Sequence, residues 1–195
     1  MWISRSDLES MGFESLGSNC LVDSRAMIYG PEGISLGSNV RVDAFSTVSS
    51  QGGRIEIGNH VHIATGVVIY GGGGVVLASG SGLAAGAKIL SATDDFIWGN
   101  LANPTMPDQF RAVTAAPVIV SEHVLVGVNS VILPGSTIGF GAAVGALTLV
   151  KGLVQDHQIV SGNPMRVVGI RNSERLRKRH LEYLNFSATE NSVEP

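Results

Sequence analysis

Residues 120–150 read VSEHVLVGVNSVILPGSTIGFGAAVGALTLV, with an aliphatic residue at every sixth position: Val120, Val126, Ile132, Ile138, Val144 and Val150. A helix repeats every 3.6 residues and a strand every 2, so neither alone calls for a period of six. That rhythm describes a short strand plus a corner, repeated, with one inward aliphatic anchor per side. Gly127, Gly139 and Gly145 follow three of the anchors, and Val124, Ser130, Ser136, Ala142 and Thr148 stand four positions beyond one. The anchor fills the middle of the core, and the smaller residue takes the tighter space beside the corner. This is the pattern of a solenoid.

The first half carries the same rhythm in sets of three: Leu16, Val22, Ile28; Leu36, Val42, Val48; Ile57, Ile63, Ile69; Leu77, Leu83, Ile89. Between sets a few extra residues intrude, at Ile34-Ser35, Gly53 to Glu56 and Val75-Val76. A break after every third anchor predicts three sides to each turn of a triangular prism, with insertions at a single corner. The expected fold is all-β, a parallel β-helix of about six coils. At roughly 4.8 Å per strand the prism is on the order of 30 Å long. Each coil stacks only on its neighbours, so both ends need caps.

Composition agrees. The 195 residues suit one domain, and 44% hydrophobic content supplies a long narrow core, while aromatics stay at 6% because a thin prism has little room for rings. The formal net charge of −3 argues against nucleic acid as a partner. Cys20 is the single cysteine, which excludes an intrachain disulfide and fits a reducing compartment. No run of eighteen apolar residues and no charged-then-apolar N-terminus occurs, so the expectation is a soluble, cytoplasmic protein without an integral membrane segment.

Ser6-Asp7-Leu8-Glu9 resembles a capping box, Gly12 marks the stop of a short helix, and Phe13 is left to cover the first coil. Residues 1–171 are thus expected to form the β-helix domain with this cap, and 172–195 a C-terminal helix and tail. In that helix Ser173 is the expected N-cap, Leu176, His180, Tyr183 and Leu184 share a face, and Ser187 to Pro195 form a frayed tail. Arg175, Arg177, Lys178 and Arg179 read as its solvated side. The solenoid breaks once at length, over 94–117, where Phe96, Trp98, Phe110, Pro104 and Pro107 argue against disorder. That stretch reads as an arm over a neighbouring subunit, walling the acceptor pocket or bracing the assembly.

The anchors, the Ile132-Leu133-Pro134-Gly135 turn, Val144-Gly145-Ala146 and Gly162-Asn163-Pro164 ahead of Arg171 together resemble the hexapeptide-repeat acyltransferases. Val61-His62-Ile63-Ala64, the Gly71 to Gly74 run and Ser91-Ala92-Thr93-Asp94-Asp95-Phe96 resemble the subgroup that modifies bacterial surface polysaccharides and nucleotide sugars. The resemblance spans roughly Phe13 to Arg171. It implies a left-handed helix, a homotrimer, and acetyl-CoA as co-substrate in the groove between adjacent prisms. The acceptor it implies is a sugar or nucleotide sugar acylated on a hydroxyl or an amino group. Ala142, Gly145 and Ala146 are then candidates to let the pantetheine arm approach, with Pro164 in the terminal motif. Lys151 and Arg171 are candidates for the nucleotide phosphates. Asp95 and Trp98 are candidates for contact with the acceptor.

Acyl transfer to a hydroxyl calls for a base and an oxyanion donor. Of five histidines, His157 and His180 read as structural, whereas His60, His62 and His123 point outward. His62 ranks first as base and His123 second. Relatives carry a histidine at the start of the long loop where this chain has Asp94-Asp95, so Asp94 joins the catalytic candidates. It is expected to pair with His62 of the next subunit. An aspartate pair suits an amine acceptor, and histidines suit a hydroxyl; the residues leave both open. A zinc site of the γ-carbonic-anhydrase kind needs histidines five apart, and His60 and His62 are two apart, so no metal is expected. The glycine run lacks a following GKS or GKT, which removes a P-loop. A non-catalytic scaffold is the remaining alternative.

Overall fold

The computed structural model describes residues 1–190, and they form a left-handed parallel β-helix with three faces. The first face stacks seven strands, Ser15–Leu16, Ile34–Leu36, Ile55–Ile57, Val75–Leu77, Val118–Val120, Thr137–Ile138 and Leu153–Val154. The second stacks Leu21–Val22, Arg41–Val42, His62–Ile63, Gly82–Leu83, Leu125–Val126, Ala143–Val144 and Gln158–Ser161, closed by an antiparallel strand, Arg166–Ile170. The third holds six: Met27–Tyr29, Thr47–Ser49, Val68–Tyr70, Lys88–Leu90, Val131–Ile132 and Leu149–Val150. There are therefore seven turns, the last lacking its third side, rather than about six. The six-residue count stops at Val150 because the next step, to Val154, is short; Val154 and Val160 resume it and are fully buried.

From Val22 to Val150 the expected anchors are buried, apart from Ile28, and they pair in register from coil to coil, as in Val22 with Val42 and Val42 with Ile63. Val124, Ser130, Ser136, Ala142 and Thr148 are buried beside them. Two of these hydroxyls are satisfied by one backbone carbonyl: Ser130 Oγ and Thr148 Oγ1 each donate to Gly145 O at 2.7 Å. Leu16 and Ile28 in the first coil are only partly covered.

All length variation falls at the corner between the third and first faces. It absorbs Gly30 to Gly33, the turn before Ile55, and Gly71 to Gly74, and it gives rise to the 94–117 arm. Ile34-Ser35 and Val75-Val76, expected as insertions, belong to first-face strands. These strands bury two residues each, Ile34 with Leu36 and Val75 with Leu77. The arm starts as a ribbon, with Ala92–Asp94 antiparallel to Val113–Ala115.

Helix α1 (Arg5–Ser10) plugs the first coil with Leu8 at 1% exposure. Its cap is Ser4, whose Oγ accepts from Asp7 N at 3.2 Å, not Ser6. Helix α2 (Ser173–Glu190) is capped by Asn172, whose Oδ1 accepts from Arg175 N at 2.9 Å, one residue before the expected Ser173. The helix runs through 187–190, part of the expected tail; 191–195 lie outside the described residues.

Truncating a central anchor should cost the prism dearly, since neighbouring coils cannot collapse into the gap without losing register. Ile89→Ala is expected to lower unfolding free energy by about 2–5 kcal/mol, read from urea melts.

Candidate active site

The corner between the first and second faces turns through a left-handed residue in every coil: Asn19, Asn39, His60, Gly80, His123, Gly141 and His157. Side chains stack along it. Asn19 Nδ2 donates to Asn39 Oδ1, and Asn39 Nδ2 to His60 Nε2, both at 3.3 Å. Glycine stands where the neighbouring ring needs the room: a Cβ on Gly80 would lie 2.6 Å from His123 Nδ1, and one on Gly141 would collide with Leu176 of α2.

Helix α2 lies along this column. His123 Nε2 and His180 Nδ1 share a hydrogen bond of 2.8 Å, Tyr183 packs edge-on against His60 at 5.4 Å, and Phe140 packs against His123, His157 and His180. Arg177 stands over Phe140. Of the expected helix face, Leu184 is the exception and is exposed. Arg171 Nη1 donates to the carbonyls of Gly141 at 2.8 Å and His123 at 2.9 Å.

Two expectations change here. His123 is not a free base at a groove: it is tied to His180 beneath the helix. Burial, with the charges of His180 and Arg171, pushes its imidazole below the ordinary value against the pull of Glu122. Arg171 turns Nη1 onto the corner carbonyls, which takes part of its fork from any phosphate. The Ala142 side chain is wholly in the core, so at that position only backbone faces outward.

Asp95 is likewise committed elsewhere. Its Oδ1 accepts from Ile97 N (2.8 Å) and Trp98 N (2.7 Å), and its Oδ2 from Asn100 N (2.9 Å) and Asn100 Nδ2 (2.8 Å). The backbone N–H groups of Trp98, Ile97 and Asn100 hold its carboxyl well below the usual range. Asp95 therefore knots the arm, and that knot displays Phe96 and Trp98 at 87% and 84% exposure. Asp94, at the end of the ribbon, accepts one long bond from Asn103 N at 3.3 Å, which leaves most of its acceptor capacity unused.

On the outer side of the second face His62 Nε2 meets Asp43 Oδ2 at 2.8 Å, and Arg41 Nε donates to Asp43 Oδ1 at 2.7 Å. Partial burial opposes ionisation of Asp43, but the hydrogen bonds from His62 and Arg41 prevail and hold its carboxyl below the ordinary value. With Nε2–H donated to Asp43, Nδ1 is left as the acceptor. His62 thus has a partner in its own chain, Asp43. Asp94 departs from the corner between the third and first faces, so one chain does not bring Asp94 and His62 together.

Nothing within the His62 motif of a single coil points to Asp43. Pairing of Arg41 with His62 sets Asp43 beside it one coil earlier, a neighbour visible only once the coils are aligned. Of the remaining candidates, Gly145 and exposed Ala146 sit at the corner between the second and third faces. Exposed Lys151 follows the third face, and exposed Pro164 lies in the turn ahead of Arg166–Ile170. Among the described residues no group of three His, Cys, Asp or Glu side chains could hold a metal ion, and no helix is long and apolar enough to cross a membrane.

A family model for the hexapeptide repeat of succinyl-transferase matches residues 15–49 and 117–146. The chain is 31% identical over 169 residues to dTDP-4-amino-4,6-dideoxy-D-glucose acyltransferase of Escherichia coli, covering 87% of this chain and 88% of that one. It superposes on AntD, an N-acyltransferase from Bacillus cereus in complex with dTDP and 3-hydroxybutyryl-CoA, with a TM-score of 0.87 and 36% identity over 94% of this chain and 98% of that chain. A variant of AntD in complex with dTDP-4-amino-4,6-dideoxyglucose and coenzyme A gives a TM-score of 0.88 and 36% identity over 94% and 97% of the two chains.

Because the His123 value is depressed on folding, the unfolded chain binds more protons between the two values. The stability it contributes is complete above about pH 6.5 and declines as pH drops below that. Amide exchange of α2, corrected for intrinsic rates, should therefore show falling protection on acidification toward about pH 5.5. His123→Asn, suited to the left-handed corner, should flatten that dependence.

Proposed function

We propose that this chain, which belongs to the hexapeptide-repeat acyltransferases, transfers an acyl group from acyl-CoA, acetyl-CoA first among them, to the amino group of a nucleotide-linked deoxysugar. The supporting observation is the nearly end-to-end likeness to AntD with dTDP-4-amino-4,6-dideoxyglucose and coenzyme A bound. The working unit is a homotrimer in the cytoplasm, and its product feeds surface-polysaccharide assembly. The exposed Phe96 and Trp98 of the arm favour the trimer, because a neighbouring prism would cover them. Gly145, Ala146, Lys151 and Pro164 are the residues we assign to the donor, and Trp98 to the acceptor pocket.

The chemistry asks little of the protein. The neutral amine attacks the thioester carbonyl, the oxyanion collapses, and the CoA thiolate leaves and takes up a proton. The attacking nitrogen must lose one proton on the way. Asp94 is the group for it, since its carboxylate has acceptor capacity to hold the incoming amine, receive that proton and pass it on to the departing thiolate.

A second reading, O-acylation, is favoured by one observation: the His62–Asp43 pair leaves Nδ1 of an exposed imidazole as a base, the arrangement a sugar hydroxyl needs.

Thiol release from acetyl-CoA against nucleotide-linked amino sugars and their hydroxyl counterparts separates the two. Turnover of the amines alone is expected, with Asp94→Asn lowering kcat about 10²–10⁴-fold. Turnover of hydroxyl acceptors, abolished by His62→Ala, would replace the first reading with the second. Silence with both classes would remove the enzyme.

A further inference from the structure

We propose that Phe45 is the shelf on which the nucleobase of the acceptor lies, an inference that rests on the nucleotide-sugar reading above. The corner between the second and third faces passes through a left-handed residue in coils two to six: Phe45, Gly66, Gly86, Asn129 and Leu147. Glycine and asparagine are what this conformation favours. Phe45, at φ 61°, is a bulky residue held there against backbone preference, and its side chain is turned outward, 61% exposed. The core gains nothing from that ring. Unfavourable backbone conformations kept in this way concentrate at ligand clamps.

The ring is also braced. The guanidinium carbon of Arg25 lies 5.0 Å from its centroid, and Arg25 is itself fixed by Asp23, Nε to Oδ1 at 2.9 Å and Nη2 to Oδ2 at 3.2 Å. An aromatic side chain steadied by a cation, with most of its surface in solvent, offers a face to a planar heterocycle. Stacking of this kind accepts any base and needs no hydrogen-bond code.

Position along the corner supports the assignment. Gly145 and Ala146, assigned to the donor, occupy the same corner in the sixth coil. The acceptor sugar must meet the thioester, so its nucleotide has to extend toward the N-terminal coils. Gly66 leaves the corner of coil three without a side chain, room for the diphosphate, while over Gly86 in coil four stand the Asn129 carboxamide and the Lys88 ammonium, which donates to Gly86 O at 3.0 Å, polar partners for the hexose. Coils repeat at roughly 4.8 Å, which puts Phe45 about 10 Å from Gly86. A ribose and a diphosphate separate a base from its sugar by a span of that order.

The test uses the full chain with Phe45→Asn, which relaxes the corner, and Phe45→Trp, which keeps a stacking face. Three quantities are read: KM for a dTDP-linked amino sugar, affinity for dTDP and for pyrophosphate by calorimetry, and the melting temperature. For Phe45→Asn the KM and the dTDP dissociation constant should rise about five- to a hundredfold. Pyrophosphate affinity should hold, and the melting temperature should hold or rise; Phe45→Trp should restore KM. Unchanged KM and dTDP affinity in Phe45→Asn, with wild-type turnover intact, overturns the shelf and spares the enzyme. Equal losses for dTDP and pyrophosphate, or dissociation of the assembly, also overturn it, by making Phe45 a scaffold or subunit contact. No turnover and no dTDP binding by the wild type defeats the underlying reading instead.

Discussion

Parallel pairing between successive coils governs this molecule. Each strand takes its partners from the coil before and the coil after, and the buried anchors allow no slip, because a one-residue shift would turn the aliphatic side outward. Val42 must sit between Val22 and Ile63, and Leu83 between Ile63 and Val126. Freedom is left only at the corners, where the backbone must reverse sharply. Two of the three corners keep nearly constant length and turn through left-handed residues. The third accepts every insertion, from the short Gly30 to Gly33 turn to the whole arm.

The three edges consequently do different work. The first, with its stacked asparagines and histidines, is a docking rail for α2, and four of the five histidines are used there or beside it. The edge that tolerates insertion carries the arm with Asp94 and the Asp95 knot. The edge between second and third faces carries glycines, an exposed aromatic and, beside it on the second face, the His62–Asp43–Arg41 chain of contacts. Chemistry-bearing groups are thus spread over separate edges of one prism. Packing edge against edge between copies is the arrangement that would bring Asp94 and the second-face groups into one cleft.

The fold was legible because the core is one residue wide per side. A single aliphatic position every six residues carries the burial signal, undiluted by side chains of long-range partners. The seventh coil escaped because its corner is shorter than six residues would require, so the count lost step while Val154 and Val160 stayed inside. The candidate site was legible only in part. His62 faces outward as expected, but His123, Arg171 and Asp95 have side chains tied to other groups of the chain. A histidine on the outer surface of one coil looks free in sequence, and a helix fifty-seven residues on covers it. Asp43 failed in the opposite sense: its partner is near in space and nineteen residues away in the chain.

Stacked parallel strands have a hazard at both ends, since an unpaired terminal strand is a template for another copy. Here each end of the second face is finished with reversed chain direction. Arg166–Ile170 runs antiparallel to Gln158–Ser161, and at the other end Trp2 bridges antiparallel to Asp23 while Ile3 N donates to Val22 O. An incoming prism would meet backbone of the wrong polarity to continue the stack. Continuation of the stack through that face is thereby opposed at both ends.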